Sequence, residues 1–249
     1  MTKNDSPATL NTWDRSQFEH GALRHDVYRK GSGPGVIVIH EIPGMTPKVI
    51  AFGEEIVAAG FTTVMPHLFG TPGRGVSVGT MFKAVEQICV SKEMTLLAAG
   101  QTPPITQWLR ALARSLHDEL GGPGVGALGM CFTGGYALGM MVDAPVIAPV
   151  LCQPSSPAPV GKKRAADLGL SPADLAAMRR IAIDRCPVLG LRFANDKATG
   201  TKFETLTEVL GDKFIRVEFE GKGHSTVTEQ RQQAGVDRVL EFLTERLQG

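Results

Sequence analysis

An excess of one charge, a long apolar stretch and paired cysteines are all missing from this sequence. Its 26 Lys and Arg stand against 25 Asp and Glu, a formal net charge of +1. Without a basic excess there is no electrostatic footprint for nucleic acid or an anionic membrane surface, and neither is an expected partner. No apolar run approaches the roughly 18 residues of a membrane span. Met1-Thr-Lys-Asn-Asp-Ser-Pro has no apolar signal core, so the expected location is cytoplasmic. Cys89, Cys131, Cys152 and Cys186 are widely spaced, with no C-x-x-C pair and no zinc spacing, which suits reduced thiols. H-E-x-x-H is absent as well, and no metal is expected.

What is present is a chain of 249 residues, 43% hydrophobic and 20% charged. That suits one α/β domain near the upper size for a single core. Short apolar runs alternate with helical patterns, without internal repeats. The expected fold is therefore a mostly parallel, doubly wound sheet flanked by helices. Residues 1–20 are polar and read as a loosely ordered arm, with 21–249 as the domain. Residues 25–30 read as a short edge strand. Val36-Ile-Val-Ile39 is a β-branched run typical of a strand buried on both faces, and it ends in His40-Glu41-Ile42-Pro43-Gly44. Thr46 and Pro47 open a helix, Gly60 ends it, and 61–65 is the next strand. Helical patterns follow at about 80–99 and 105–120, and the 77–120 region reads as either a lid or packed core. Further strands are expected at 125–130, 145–151, 187–193 and 214–219. Between them lie a Ser/Pro-rich loop at 153–159, a basic turn at 161–164, a helix capped by Ser171, and helices at about 201–210 and 228–247.

The most informative stretch is Gly124-Val-Gly-Ala-Leu-Gly-Met-Cys131-Phe-Thr-Gly-Gly-Tyr. A strand, a turn of small residues and an apolar helix follow one another, with a single nucleophilic side chain at the turn. This is the pattern of a nucleophile elbow with cysteine as the nucleophile, and a helix N-terminus beneath the sulfur favours its charged form. The alternative is an ordinary buried thiol. Gly124, Gly126 and Gly129 formally spell G-x-G-x-x-G. They lie in or before the strand instead of opening the helix, so no dinucleotide and no other cofactor is expected.

Asp196 and His224 also fall just past strand ends. Nucleophile, acid and histidine in the order Cys131, Asp196, His224 is the chain order of an α/β-hydrolase triad. A thiolate attacks an acyl carbon, His224 moves the proton, and Asp196 orients the imidazole. Taken singly, the aspartate reads as a turn residue and the histidine as a solvated one. Their joint placement is what points to catalysis.

These motifs, together with Gly-His-Ser at 223–225, resemble the dienelactone hydrolases over most of residues 25–247. The resemblance implies an α/β-hydrolase fold in a single domain, hydrolysis of a small ester or lactone, and the triad Cys131, Asp196 and His224. It also implies a role for Glu41, the counterpart of a carboxylate that contacts the resting thiol and moves when substrate arrives. The oxyanion site would be the backbone N–H groups of Ile42 and Phe132. Thr133 departs from the glycine common at its position. The carboxylate-binding arginines of the founding enzymes have no clear counterpart. Arg74 is a candidate for substrate binding, with a solvated loop arginine as the alternative. Two other classes stay open: a non-catalytic ligand-binding or sensor protein that keeps the fold, and a thiol-redox protein in which Cys152 meets Cys131 in space.

Overall fold

The computed structural model describes residues 9–94, 99–142, 145–156 and 161–249. Its strands form one sheet: β1 (Asp14–His20), β2 (Leu23–Lys30), β3 (Gly35–Ile39), β4 (Thr62–Pro66), β5 (Val125–Met130), β6 (Val146–Cys152), β7 (Val188–Phe193) and β8 (Phe214–Phe219). The order across the sheet is β1-β2-β4-β3-β5-β6-β7-β8. The β1–β2 and β2–β4 pairs are antiparallel, and the pairs from β4 through β8 are parallel. The helices are α1 (Pro47–Ala58), α2 (Val78–Val90), α3 (Ile105–Leu120), α4 (Gly134–Met140), α5 (Lys162–Ala166), α6 (Pro172–Asp184), α7 (Lys202–Leu210) and α8 (Gln233–Leu247).

The central strands are apolar on both faces because helices cover both. Successive side chains alternate across a strand. Ile37 and Ile39 therefore enter one core with Trp108 and Leu109 of α3, Ala137 of α4 and Phe203 of α7. Val36 and Val38 enter the other, with Phe52 and Ile56 of α1 and Val239 and Phe242 of α8. The expected doubly wound, mostly parallel fold is borne out. The chain leaves β3 toward β4 but leaves β5 toward β6, so the connections diverge between the neighbouring strands β3 and β5. In open α/β sheets, the crevice beyond the strand ends at such a divergence is where ligands bind.

The expected arm is, from Asp14 on, an ordered edge strand, so β2 is not an edge. Strand β1 is exposed on both faces except for a partly covered Phe18, and its sequence shows no apolar alternation. Besides its pairing with β2, two aromatic anchors hold this segment, Trp13 just before the strand and Phe18 within it. Trp13 is buried and donates its indole N–H to Glu54 at 2.7 Å. Phe18 packs edge-on against Trp108, and the Trp108 indole donates to the Phe18 carbonyl at 3.2 Å. Residues 1–8 of the expected arm lie outside the described residues.

Three other expectations shift. The helix expected at 80–99 is α2, ending at Val90, and residues 95–98 lie outside the described residues. The basic turn at 161–164 begins a short helix, α5. The last helix starts at Gln233, because residues 224–232 form a loop held by its own hydrogen bonds. The 77–120 region divides. Helix α3 is packed core, whereas α2 buries Ala84 and Ile88 and leaves Val78 and Phe82 exposed. Among the described residues, no helix is long and apolar enough to cross a membrane.

Candidate active site

Parallel strands all point their C-terminal ends toward one edge of the sheet. Strands β3, β5, β6, β7 and β8 deliver Glu41, Cys131, Ser155, Asp196 and His224 to that edge within a few residues of their ends. Pairing of Ile39 with Gly129, and of Met130 with Cys152, sets the first three side by side.

At the end of β5 the backbone turns sharply. Cys131 has φ of 57°, a left-handed conformation that costs a side-chain-bearing residue on the order of 1–3 kcal/mol. The turn is possible because a Cβ on Gly129 would lie 2.3 Å from the Thr133 carbonyl oxygen. Thr133, the unusual elbow residue, is a brace. Its hydroxyl accepts the Met130 amide at 2.9 Å and lies 2.7 Å from the Met130 carbonyl and 3.1 Å from that of Ile39. It thereby fastens the elbow to both central strands.

Asp196 and His224 meet as expected, with Nδ1 of His224 2.8 Å from Oδ2 of Asp196. Asp196 also accepts the Thr199 hydroxyl at 2.7 Å and the Ala198 amide at 2.9 Å. Burial alone would raise the Asp196 carboxyl, but the bond and charge of His224, with Thr199 and the Ala198 amide, hold it below its ordinary value. Burial likewise acts against the His224 cation. Hydrogen bonds to Asp196 and Cys131, and the charges of both, outweigh burial and lift the imidazole to about 10.

Glu41 sits elsewhere than the resemblance implies. The residue is 4% exposed, and its carboxylate accepts the Ser225 hydroxyl at 2.9 Å, the Gln153 amide at 3.2 Å and the Thr228 hydroxyl. Burial raises its carboxyl above the usual range, against those bonds and the His224 charge. Besides its interaction with His224, the Cys131 sulfur lies 3.0 Å from the Ser155 hydroxyl, and it makes no hydrogen bond with Glu41 among the described residues. Next to Glu41, His40 is fully buried and held neutral, its imidazole pushed down to about 3 by burial and the nearby His67. It spans from the Glu41 carbonyl to the Leu68 amide, at 3.2 Å each, and so braces the loop that carries Ile42.

The loop after β6, Ser/Pro-rich by composition, carries a further residue of the site. Gln153 is fully buried with φ of 41°, the second side-chain-bearing residue in a left-handed conformation. Its amide oxygen accepts the Thr226 N–H at 3.1 Å and hydroxyl at 2.7 Å. Gln153 thus couples Glu41 to the loop that bears His224. Nothing in the composition of a Ser/Pro-rich loop marked these roles, although its place just past a buried strand could have. Cys152 is buried, which with Glu41 nearby pushes its thiol up and suits an inert sulfur.

Beside Ser155 lies a cavity of about 60 Å³, bordered by Phe132, Tyr136, Leu138, Ser156 and Lys202. At roughly 15 Å³ per water it has room for about four waters, and neither Cys131 nor His224 borders it. Lys202 is buried and donates to Ser156 at 2.8 Å and to the Asp167 carbonyl at 2.6 Å. Burial brings its ammonium down to about 8, against the charge of Asp167. Arg74 is exposed on the loop between β4 and α2 and does not border this cavity.

The sequence model of the dienelactone hydrolase family matches residues 26–237. No curated protein sequence matches the chain. Among solved structures, a Klebsiella pneumoniae protein assigned to the dienelactone hydrolases is 17% identical with a TM-score of 0.66, over 94% of this chain and 97% of that one. A dienelactone hydrolase from Anabaena variabilis is 14% identical with a TM-score of 0.65, over 95% and 100%. A cold-adapted esterase from an Arctic intertidal metagenomic library is 14% identical with a TM-score of 0.63, over 99% and 100%. At these identities the structures establish a shared α/β-hydrolase fold.

Proposed function

The chain belongs to the dienelactone hydrolase family, and from that premise we propose that it cleaves a small ester or lactone through Cys131, His224 and Asp196. The Cys131 thiolate attacks the acyl carbon, and the carbonyl oxygen takes up the negative charge. The N–H groups of Phe132 and Ile42, just past the adjacent strands β5 and β3, are the donors that would meet that oxygen. Collapse of the adduct breaks the C–O bond and leaves a thioester on Cys131.

The sulfur's charge is one of the two charges that keep His224 protonated. Once that charge passes into the acyl adduct, the imidazolium becomes a stronger acid and gives its proton to the departing alkoxide. Neutral His224, held by Asp196, then takes a proton from water, whose oxygen attacks the thioester carbonyl. Expulsion of the thiolate releases the carboxylic acid. Glu41 positions His224 by holding Ser225 and Thr228. A thiolate leaving group suits activated esters better than amides.

The observation that carries this reading is the 2.8 Å Asp196–His224 contact, made between the ends of two strands and beside a cysteine with positive φ. Cys131→Ala is expected to abolish p-nitrophenyl acetate hydrolysis. Intact-mass spectrometry should show an acetyl adduct on the wild type and none at that position in the variant. Full turnover by Cys131→Ala would overturn the mechanism. A wild type that neither turns over nor acylates would leave the ligand-binding reading.

A further inference from the structure

The loop after β6 holds Cys131 at two points. The Ser155 amide donates to the Cys131 carbonyl at 3.0 Å, and the Ser155 hydroxyl lies 3.0 Å from the sulfur. Ser155 is 8% exposed, and its hydroxyl has no other hydrogen-bond partner among the described residues. Packing keeps it there. A Cβ on Gly134 would come within 2.9 Å of Pro154, so the elbow and this loop are in close contact. Gln153 is buried in a strained conformation and anchored to the Leu191 carbonyl at 2.6 Å. The Glu41 carboxylate is taken up by Ser225, Thr228 and Gln153.

We propose that Ser155 is a further catalytic residue: its hydroxyl donates to the Cys131 sulfur, keeps it charged before substrate arrives, and receives it again when the thioester is hydrolysed. This rests on the reading of Cys131 as nucleophile. The direction of the hydrogen bond follows from the proton inventory. His224 meets Asp196 through Nδ1 at 2.8 Å and interacts with Cys131 as well, which makes it the group placed to take the thiol proton. Once the sulfur has given its proton to that ring it can only accept, and Ser155 is then the donor. The Ser155 proton never leaves its oxygen. The bond weakens as sulfur attacks the acyl carbon and charge moves to the oxyanion, and it re-forms as the thiolate departs. In this chain a neutral donor therefore replaces a carboxylate beside the resting nucleophile. A carboxylate would favour the thiol and make activation wait for substrate. A hydroxyl leaves the nucleophile active in the free enzyme.

A hydrogen bond to a charged acceptor shifts its population by roughly 10- to 100-fold. Each tenfold gain in thiolate costs roughly threefold in intrinsic nucleophilicity, since the Brønsted slope is about 0.4–0.5. The net benefit is about 3- to 10-fold. Iodoacetamide alkylation without substrate reads it directly, with peptide mapping to separate Cys131 from the exposed Cys89. Ser155→Ala is expected to slow Cys131 alkylation about 3- to 10-fold at pH 6 and less at pH 9. The p-nitrophenyl acetate burst and its steady state should slow together, and Ser155→Thr should restore both. Ser155→Gly, which keeps the backbone bond, serves as a second truncation if the alanine variant does not fold. Unchanged alkylation would overturn the proposal. Faster alkylation would too, since the hydroxyl would then be accepting a thiol proton. If Cys131→Ala is inactive while Ser155→Ala alkylates normally, the triad stands and Ser155 has no role. Turnover by Cys131→Ala would remove both.

Discussion

Asp196 and Glu41 are two carboxylates set just past parallel strand ends at the same edge of the sheet, yet their surroundings push them in opposite directions. Asp196 has a cation as its main partner and is held below its ordinary value. Glu41 has neutral hydroxyls and an amide, lies deeper, and is raised. The comparison teaches that placement at a strand end does not decide a carboxylate's task. The balance of burial against the charge of its partner does. Asp196 acts on the imidazole directly, whereas Glu41 acts on the loop that carries it.

The comparison breaks most sharply at Asp196. Asp196→Asn removes the charge that sustains the imidazolium, so kcat should fall about 10³- to 10⁴-fold. The His224 value, read from its ring protons by NMR, should fall from about 10 toward 6.5. In the wild type that raised value contributes stability fully present below about pH 6.5 and lost as pH rises toward 10, so the variant's stability should vary less across that window.

Glu41→Gln should cost less, about 10- to 100-fold in kcat, because the His224–Asp196 bond survives while its loop loosens. Its pH dependence should run opposite to that of Asp196. A raised carboxyl favours the folded state most below its unfolded value of 4.5, and that contribution fades as pH rises through the folded value. The melting temperature of Glu41→Gln relative to wild type should therefore climb as pH rises above 4.5. A flat difference would mean that the buried carboxylate is not strained. Asp196 contributes stability only above its unfolded value and loses it in acid.

The smallest effect is expected from Ser225→Ala. It removes one of three donors to Glu41, and kcat should fall only a few-fold, the scale of a single hydrogen bond. A loss as large as that of Glu41→Gln would place the latch at Ser225 and not at the carboxylate.

Much of this arrangement was legible along the chain. The β-branched run at Val36–Ile39, the Leu and Trp spacing of α3 and the Ser171 cap, which accepts the Asp174 amide at 3.1 Å, each follow from local chemistry. Cys131, Asp196 and His224 stood out because strand, turn and helix signals surround each of them. Strand β1 was not legible, because an edge exposed on both faces needs no alternation. Ser155 and Gln153 were not legible either, because their partners lie far away in sequence, at Cys131, Glu41 and Thr226.

By itself the sequence determined the layers, the elbow and the identity of the reactive groups, since backbone periodicity, glycine placement and side-chain chemistry are local properties. Only the tertiary structure decided which neutral and charged groups face one another at the sheet edge. It gave Asp196 to the imidazole, Glu41 to the hydroxyls of the histidine loop and Ser155 to the sulfur. Electrostatic effects depend on distances across strands and on burial, and neither is written in the order of residues.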